Sequence, residues 1–495
     1  MTGASRPRTA TVAAPSVADR LADALPSGEV GDFDVSAVDR LGLPVVAADH
    51  VGDGWPRAVA FGYGATAEQA RIGAYGELVE DLLLNRHLRA LIPRHASYAE
   101  LRREVGPTGV VDPRSLVLPA GTVVDDDQPR SWLPTVRWRT GETVLVPAEF
   151  CATSDADLPG QDPAERLITV ITNGAGAGDT VERAVAHGLL ELLQRDGNTT
   201  AFRAMDRGVV VDLDAVHDPV TLATLDRLRT AGIGVLAKLA STAFGMADVH
   251  VVGIDMDPAT PPLAVTACGE AVHPDRETAL RKALLEYVSS RSRKVFAHDA
   301  IDRLRPIAPA AYWRREFARP PTPQEPRALD AMRRWTRLDG ERLIALLEPV
   351  VLARRESVPF SALPTVAQGS LDEPAVLLDE LLRRLADFDV LVVATPTDEP
   401  AVAVKVIVPG IEAETMSYGR IGARGVVRLV ERDSPLVGYG PPPRAGTAAV
   451  VLDEVGRDRL NGDAWFDFAG AGRTIGPLYP LYREPARHAV ARSGQ

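Results

Sequence analysis

At 495 residues, the chain has room for two to four ordinary domains, or for one large domain with appendages, and can bury an ample core without cross-links. Its net charge of −12, with lysine at only Lys238, Lys282, Lys294 and Lys405 among 55 basic residues, argues against nucleic acid or an anionic membrane as the main partner. The two cysteines, Cys151 and Cys268, exclude a disulfide framework and a cysteine-based zinc site and fit a reducing compartment.

Residues 1–30 are rich in Ala, Ser, Thr and Pro without sustained periodicity, and a flexible N-terminal segment is expected there. Arginines and a proline stand where a signal peptide carries its apolar block, and no run reaches the ~18–20 apolar residues of a membrane helix; a cytoplasmic protein is expected. From residue 31 to 435, strand-like runs alternate with helical stretches: LPVVAAD, RAVAFGYG, ETVLVPAEF, RLITVIT, VHVVGIDM, LAVTACGEAV, VLVVATP and AVAVKVIVPG. That alternation predicts an α+β or α/β domain. Prolines in the connection 305–327 forbid a long regular element, and residues 436–495 read as a C-terminal extension ending in a tail.

Sliding the chain against itself exposes an internal repeat. The segments TAEQARIGAYGELVE, TVERAVAHGLLELLQ and DRETALRKALLEYVS, beginning at Thr66, Thr180 and Asp275, share one template: a capping Thr or Asp, Glu two residues on, then a small residue, another small residue four later and Glu three after that. The matching positions are Glu68, Ala70, Ala74, Glu77; Glu182, Ala184, Gly188, Glu191; and Glu277, Ala279, Ala283, Glu286. Helices near 66–86, 180–196 and 275–294 are predicted, each following a strand-like run and a glycine-containing turn. At ~100° per residue, the two small residues and the second Glu share one narrow face. Something therefore comes close to each helix backbone beside a carboxylate. The early Glu68, Glu182 and Glu277 read as first-turn charges that complement the helix N-terminus.

Solvated surface charge would explain any one of the later glutamates. It does not explain why small face and carboxylate coincide three times. Convergent oxygen ligands for a hard divalent cation do, and magnesium usually arrives with nucleotide phosphates. In the first helix Glu77 and Glu80 form an ExxE pair; Glu191 with Gln194 and Glu286 with Ser289 stand at the same spacing.

Several segments in order resemble the YcaO family of ATP-dependent enzymes that activate peptide backbone amides. They are VDRLGLPVVAA at 38–48, GELVED at 76–81, HGLLELLQRD at 187–196, RKALLEYVSSR at 281–291, IVPGIE at 407–412 and GRIGAR at 419–424. The resemblance implies a YcaO-type α+β fold, with repeated strand-turn-helix units and mixed β-sheets around a central nucleotide site, and with ATP and Mg2+ as cofactors. It implies magnesium on Glu77, Glu80, Glu191 and Glu286, and phosphate donors at Arg195 and Arg291. No catalytic acid or base is singled out. The implied reaction is ATP-dependent modification of a ribosomally made precursor peptide, foremost cyclodehydration of Cys, Ser or Thr to azolines, with thioamide or amidine formation as alternatives. A separate leader-binding partner protein and a homodimer would accompany it.

Four nucleotide-site positions depart from the family pattern: Tyr63 stands for a lysine, Gly73 for a serine, Gln194 for a glutamate and Ser289 for a glutamine. The C-terminus also lacks the Pro-x-Pro-x-Pro ending of azoline-forming members. These departures keep a second reading open, a chain that has lost ATP turnover and serves as a peptide-binding scaffold. Retention of the carboxylates and of Arg195 and Arg291 opposes it, because clustered like charges destabilise an empty pocket. A dinucleotide site at Gly174, Gly176 and Gly178 fails the G-x-G-x-x-G spacing, and Asp179 would repel a pyrophosphate. His187, without any HExxH nearby, reads as a core or supporting histidine rather than a zinc ligand.

Overall fold

The computed structural model describes residues 16–492 except 56, 201–204, 319–323, 367–370 and 415–418. In chain order the strands are β1 (Glu29–Asp34), β2 (Val45–Val51), β3 (Ala58–Tyr63), β4 (Arg94–Ala96), β5 (Arg130–Arg137), β6 (Thr143–Pro147), β7 (Ala175–Gly178), β8 (Val209–Asp212), β9 (Gly234–Ser241), β10 (Ala247–Ile254), β11 (Gly269–His273), β12 (Glu356–Pro359), β13 (Leu391–Ala394), β14 (Val402–Ile407), β15 (Val437–Tyr439), β16 (Thr447–Ala449) and β17 (Ala464–Asp467). Among the described residues they form sheets ordered β1-β2-β3, β11-β10-β9-β8-β12, β4-β5-β13-β14-β7 with β6 beside β5, and β15-β17-β16. Pairing is antiparallel apart from β8 with β12, which makes this an α+β fold.

The three repeat helices span Ala67–Ala90, Val181–Asn198 and Arg276–His298. Their caps are the expected ones: Thr66 accepts from the Gln69 N–H, Thr180 from the Arg183 N–H, and Asp275 from the N–H groups of Glu277 and Thr278. Each helix follows the edge strand of a different sheet, β3, β7 or β11. The small residues face those strands. A Cβ on Gly62 would collide with the backbone of Ala70 and Ala74, one on Gly176 with Ala184 and Gly188, and one on Gly269 with Ala283 and Tyr287. Each helix also packs on the next unit's strand, the first on β7, the second on β11 and the third on β3. The three units thereby close a ring, which turns repeated sequence positions into one shared site.

Two stretches fold otherwise than their local pattern suggests. RLITVIT forms no strand; β7 is AGAG instead, paired with β14 in the register Ala175↔Lys405 to Gly178↔Val402. Glycine and alanine fit where the strand must lie against a helix backbone, and bulky β-branched residues do not. The expected flexible segment 1–30 already contains a helix, Val17–Ala24, closed by a capping box at Ser16 and Asp19. Its Ala18, Leu21 and Ala24 are buried in the same core as the first repeat helix. Residues 1–15 lie outside the described set.

The proline-rich connection 305–327 carries one short helix, Ala310–Ala318, and a second, Pro326–Trp335, begins at its end. The expected tail is built into the fold: Tyr312 Oη lies 2.8 Å from His488 Nε2, and Glu484 meets Lys294 at 2.9 Å and His298 at 3.0 Å. No described helix is long and apolar enough to cross a membrane.

Candidate functional site

Where the three units meet, carboxylates from all three repeat helices face a common cleft. Glu77 is exposed, Glu191 and Glu286 are half-buried, and Glu80 is buried. Two of them are anchored by backbone amides: the Gly174 N–H donates to Glu191 Oε2 at 2.9 Å, and the Glu270 N–H to Glu286 Oε2 at 2.8 Å. These bonds tie the second helix to the residue just before β7 and the third helix to β11, which holds Glu191 and Glu286 at equivalent places in their units.

Their electrostatics carry the signature of crowded like charge. Although part of Glu77 is open to solvent, desolvation by the surrounding protein, then Asp81, Glu191 and Glu286, push it up to about 7, against the opposing pull of Arg293. Burial and the charges of Glu77 and Glu191 drive Glu80 well above the carboxylate range. Burial likewise raises Glu286, with Glu270 adding to it and Arg293 opposing. Such a group is stabilised by an added cation. Lys405, on β14, donates to the carbonyls of Ile171 and Asn173 at 2.7 and 2.8 Å. Burial lowers its ammonium to about 8, and Glu191 and Glu80 hold it up.

The cations divide differently from the sequence expectation. Arg195 joins the cluster, reaching Glu191 at 3.4 Å, Glu270 at 3.3 Å and Asn173 at 3.3 Å. Arg291 does not join it. It is fully buried and holds Asp39 at 2.8 and 2.9 Å and Asp255 at 2.8 Å, so its guanidinium is a core tie between the third helix and residues elsewhere in the fold. Helical geometry gives the reason: five residues past Glu286 is about 140° around the helix, whereas seven residues, at Arg293, is about 20°. Arg293 meets Glu286 Oε1 at 3.7 Å.

Of the other sequence-singled positions, Tyr63 ends β3 beside Glu286, Arg293 and Glu77, and burial raises its phenol far above the ordinary value. Gly73 is where the first helix meets Gly62, so its missing side chain is a packing feature. Ser289 is fully buried and its hydroxyl has no hydrogen-bond partner. Gln194 donates to Glu270 Oε2 at 3.0 Å, an oxygen that also accepts from Asn198 at 2.6 Å.

Glu270 and Arg293 were not legible as site residues from the repeat template. Extending the helical period one step past Glu286 would have found Arg293; only strand pairing delivers Glu270. Among the described residues, no three His, Cys, Asp or Glu groups are placed to hold one metal ion by themselves. His187 lies one turn before Glu191 in a cavity of about 350 Å³ that it shares with His273, Arg281 and Lys282.

The segments IVPGIE and GRIGAR build the wall behind the second helix. Glu412 accepts from the Gly422 and Gly425 N–H groups at 3.1 and 2.6 Å, capping helix Ala423–Val430. Arg424 from that helix holds buried Asp196 at 3.0 Å. These motif residues support the site without lining it.

Comparison with known proteins agrees with this architecture. The family described as YcaO cyclodehydratase, ATP- and Mg2+-binding, matches residues 61–412. An uncharacterized protein of Methanothermobacter thermautotrophicus is 26% identical over 397 residues, covering 79% of this chain and 91% of its own. Among solved structures, YcaO from Methanopyrus kandleri bound with AMPPCP and Mg2+ superposes with a TM-score of 0.54 at 22% identity, covering 82% of this chain and 91% of that one. A heterocyclase in complex with substrate and cofactor gives a TM-score of 0.59 at 16% identity over 85% of this chain, which spans 56% of that protein's length. Ringed strand-turn-helix units, a shared carboxylate cleft and a match over most of the sequence lead to one conclusion: the chain belongs to the YcaO family, whose cofactors are ATP and Mg2+.

Proposed function

We propose that this protein uses Mg-ATP to activate backbone amides of a ribosomally made precursor peptide, and that the reaction is cyclodehydration of Cys, Ser or Thr to azolines. The observation that carries the reading is the cleft shared by Glu77, Glu80, Glu191 and Glu286, in which the charges of Glu191 and Glu286 bear on Glu77 and those of Glu77 and Glu191 bear on Glu80. Their donor atoms are all carboxylate oxygens, the set a hard cation takes. Because no three of them are placed to hold an ion unaided, part of the coordination would fall to phosphate oxygens and water, the usual way magnesium is bound.

In this reading Glu77, Glu80, Glu191 and Glu286 hold magnesium, and Arg195 presents its fork to phosphate. Of the four divergent positions, Tyr63 and Gln194 border the nucleotide, whereas Gly73 packs on Gly62 and Ser289 is buried. The neighbouring cavity of about 350 Å³ is within the size range of small-molecule pockets. Bound ATP supplies the phosphoryl group that turns an amide oxygen into a leaving group; the protein positions it and neutralises charge. A substrate complex of a heterocyclase with this fold supports a peptide substrate, recognised with a separate leader-binding partner protein.

Calorimetric titration with ATP, with and without magnesium, tests the reading. Magnesium-dependent binding that Glu77→Ala abolishes is expected, together with ATP-dependent loss of water from the cognate peptide. A folded protein that binds no Mg-ATP at millimolar concentration would refute it and leave the scaffold reading.

A further inference from the structure

Filling the cleft with a polyphosphate brings negative charge against negative charge, so some cation must remain free to receive it. Arg195 already shares its guanidinium among Glu191, Glu270 and Asn173. Arg291 is consumed by Asp39 and Asp255, and Lys405 spends two of its three protons on backbone carbonyls. Arg293 is different. A third of its side chain is open to solvent, its contact with Glu286 is a loose 3.7 Å, and that carboxylate already accepts a tight bond from the Glu270 N–H. Its Nε is buried and without an acceptor. A guanidinium carries five N–H donors in a rigid fork suited to phosphate, and here most of that capacity is unused.

Resting on the Mg-ATP reading above, we infer that Arg293 is a further residue of this cleft, beside Arg195, that binds the polyphosphate of the nucleotide. The side chain comes from the third repeat helix, two turns beyond Glu286, and its charge acts on Tyr63, Glu77 and Glu286 together. It therefore stands beside the uncharged Tyr63, over the cleft, where an anionic ligand bridging the first and third units would meet it. Glu286 holds the guanidinium loosely until phosphate oxygens replace that contact.

The test is titration of the full chain with Mg-ATP by calorimetry, comparing wild type, Arg293→Met, Arg293→Lys and the double variant Tyr63→Lys with Arg293→Met. Arg293→Met is expected to weaken Mg-ATP binding at least tenfold while its melting curve stays that of the wild type. Arg293→Lys, a point charge without the fork, should lose less, and Tyr63→Lys should restore part of the loss by returning a cation to the same corner. Wild-type affinity in Arg293→Met, with binding still abolished by Glu77→Ala, would overturn the role of Arg293 and leave the nucleotide site standing. Absence of Mg-ATP binding in the wild type would overturn both.

Discussion

Replacing Gly188 with alanine brings the second repeat into line with the first and third, which carry Ala74 and Ala283 at that position. Helix propensity alone favours the change by ~0.5–1 kcal/mol. The tertiary structure reverses the sign. A Cβ on Gly188 would sit 2.6 Å from the Gly174 carbonyl oxygen and 2.9 Å from Val406 Cγ2, against 3.4 Å for ordinary contact. Relief requires the second helix and the segment before β7 to part by about 0.8 Å. Over-packing of this kind costs ~1–3 kcal/mol, so a net destabilisation of up to about 2.5 kcal/mol is expected once propensity is subtracted.

The functional loss should be larger, because the Gly174 N–H that anchors Glu191 moves with its carbonyl, and misplacement near 1 Å at a positioning group costs on the order of a hundredfold. Gly76→Ala is the control. It lies in the first repeat helix with nothing within 4 Å of its added Cβ, and should stabilise by ~0.5–1 kcal/mol. Urea unfolding and Mg-ATP titration of both variants are the assays. A Gly188→Ala protein as stable as Gly76→Ala would refute the packing argument.

Two further expectations concern charges that the fold places against one another. Gln194→Glu would set a second carboxylate 3.0 Å from Glu270 Oε2; it should destabilise by ~1–3 kcal/mol, and Glu270→Gln should recover most of that, read as coupling in a double-mutant cycle. Additive effects would show the two groups to be independent. Asp248 is buried with neither oxygen hydrogen-bonded, and burial, then Glu270 and Asp196, holds its carboxyl well above the ordinary range. The folded state thus keeps a proton that the unfolded state releases near pH ~4, and stability falls as pH rises beyond that. Asp248→Asn should remove this slope, so that the variant gains on the wild type in unfolding free energy between pH ~5 and ~8; parallel pH profiles would count against it.

What the sequence determined by itself is local and periodic. The three repeat helices, their caps and the recurrence of small residues beside Glu77, Glu191 and Glu286 follow from residue spacing, because a helix fixes its own faces within a few turns. Other features belong to pairings between distant segments. RLITVIT has the composition of a strand, yet β14 pairs with AGAG, since only small residues allow the second helix to lie so near. The family resemblance points to Arg291 as a phosphate ligand, but packing against Asp39 and Asp255 claims it and leaves Arg293, two residues on, beside Glu286. Glu270 reaches Gln194 because the second helix packs on β11, part of the next unit. Spacing along one helix sets which groups share a face; closure of the ring of three units decides which faces meet.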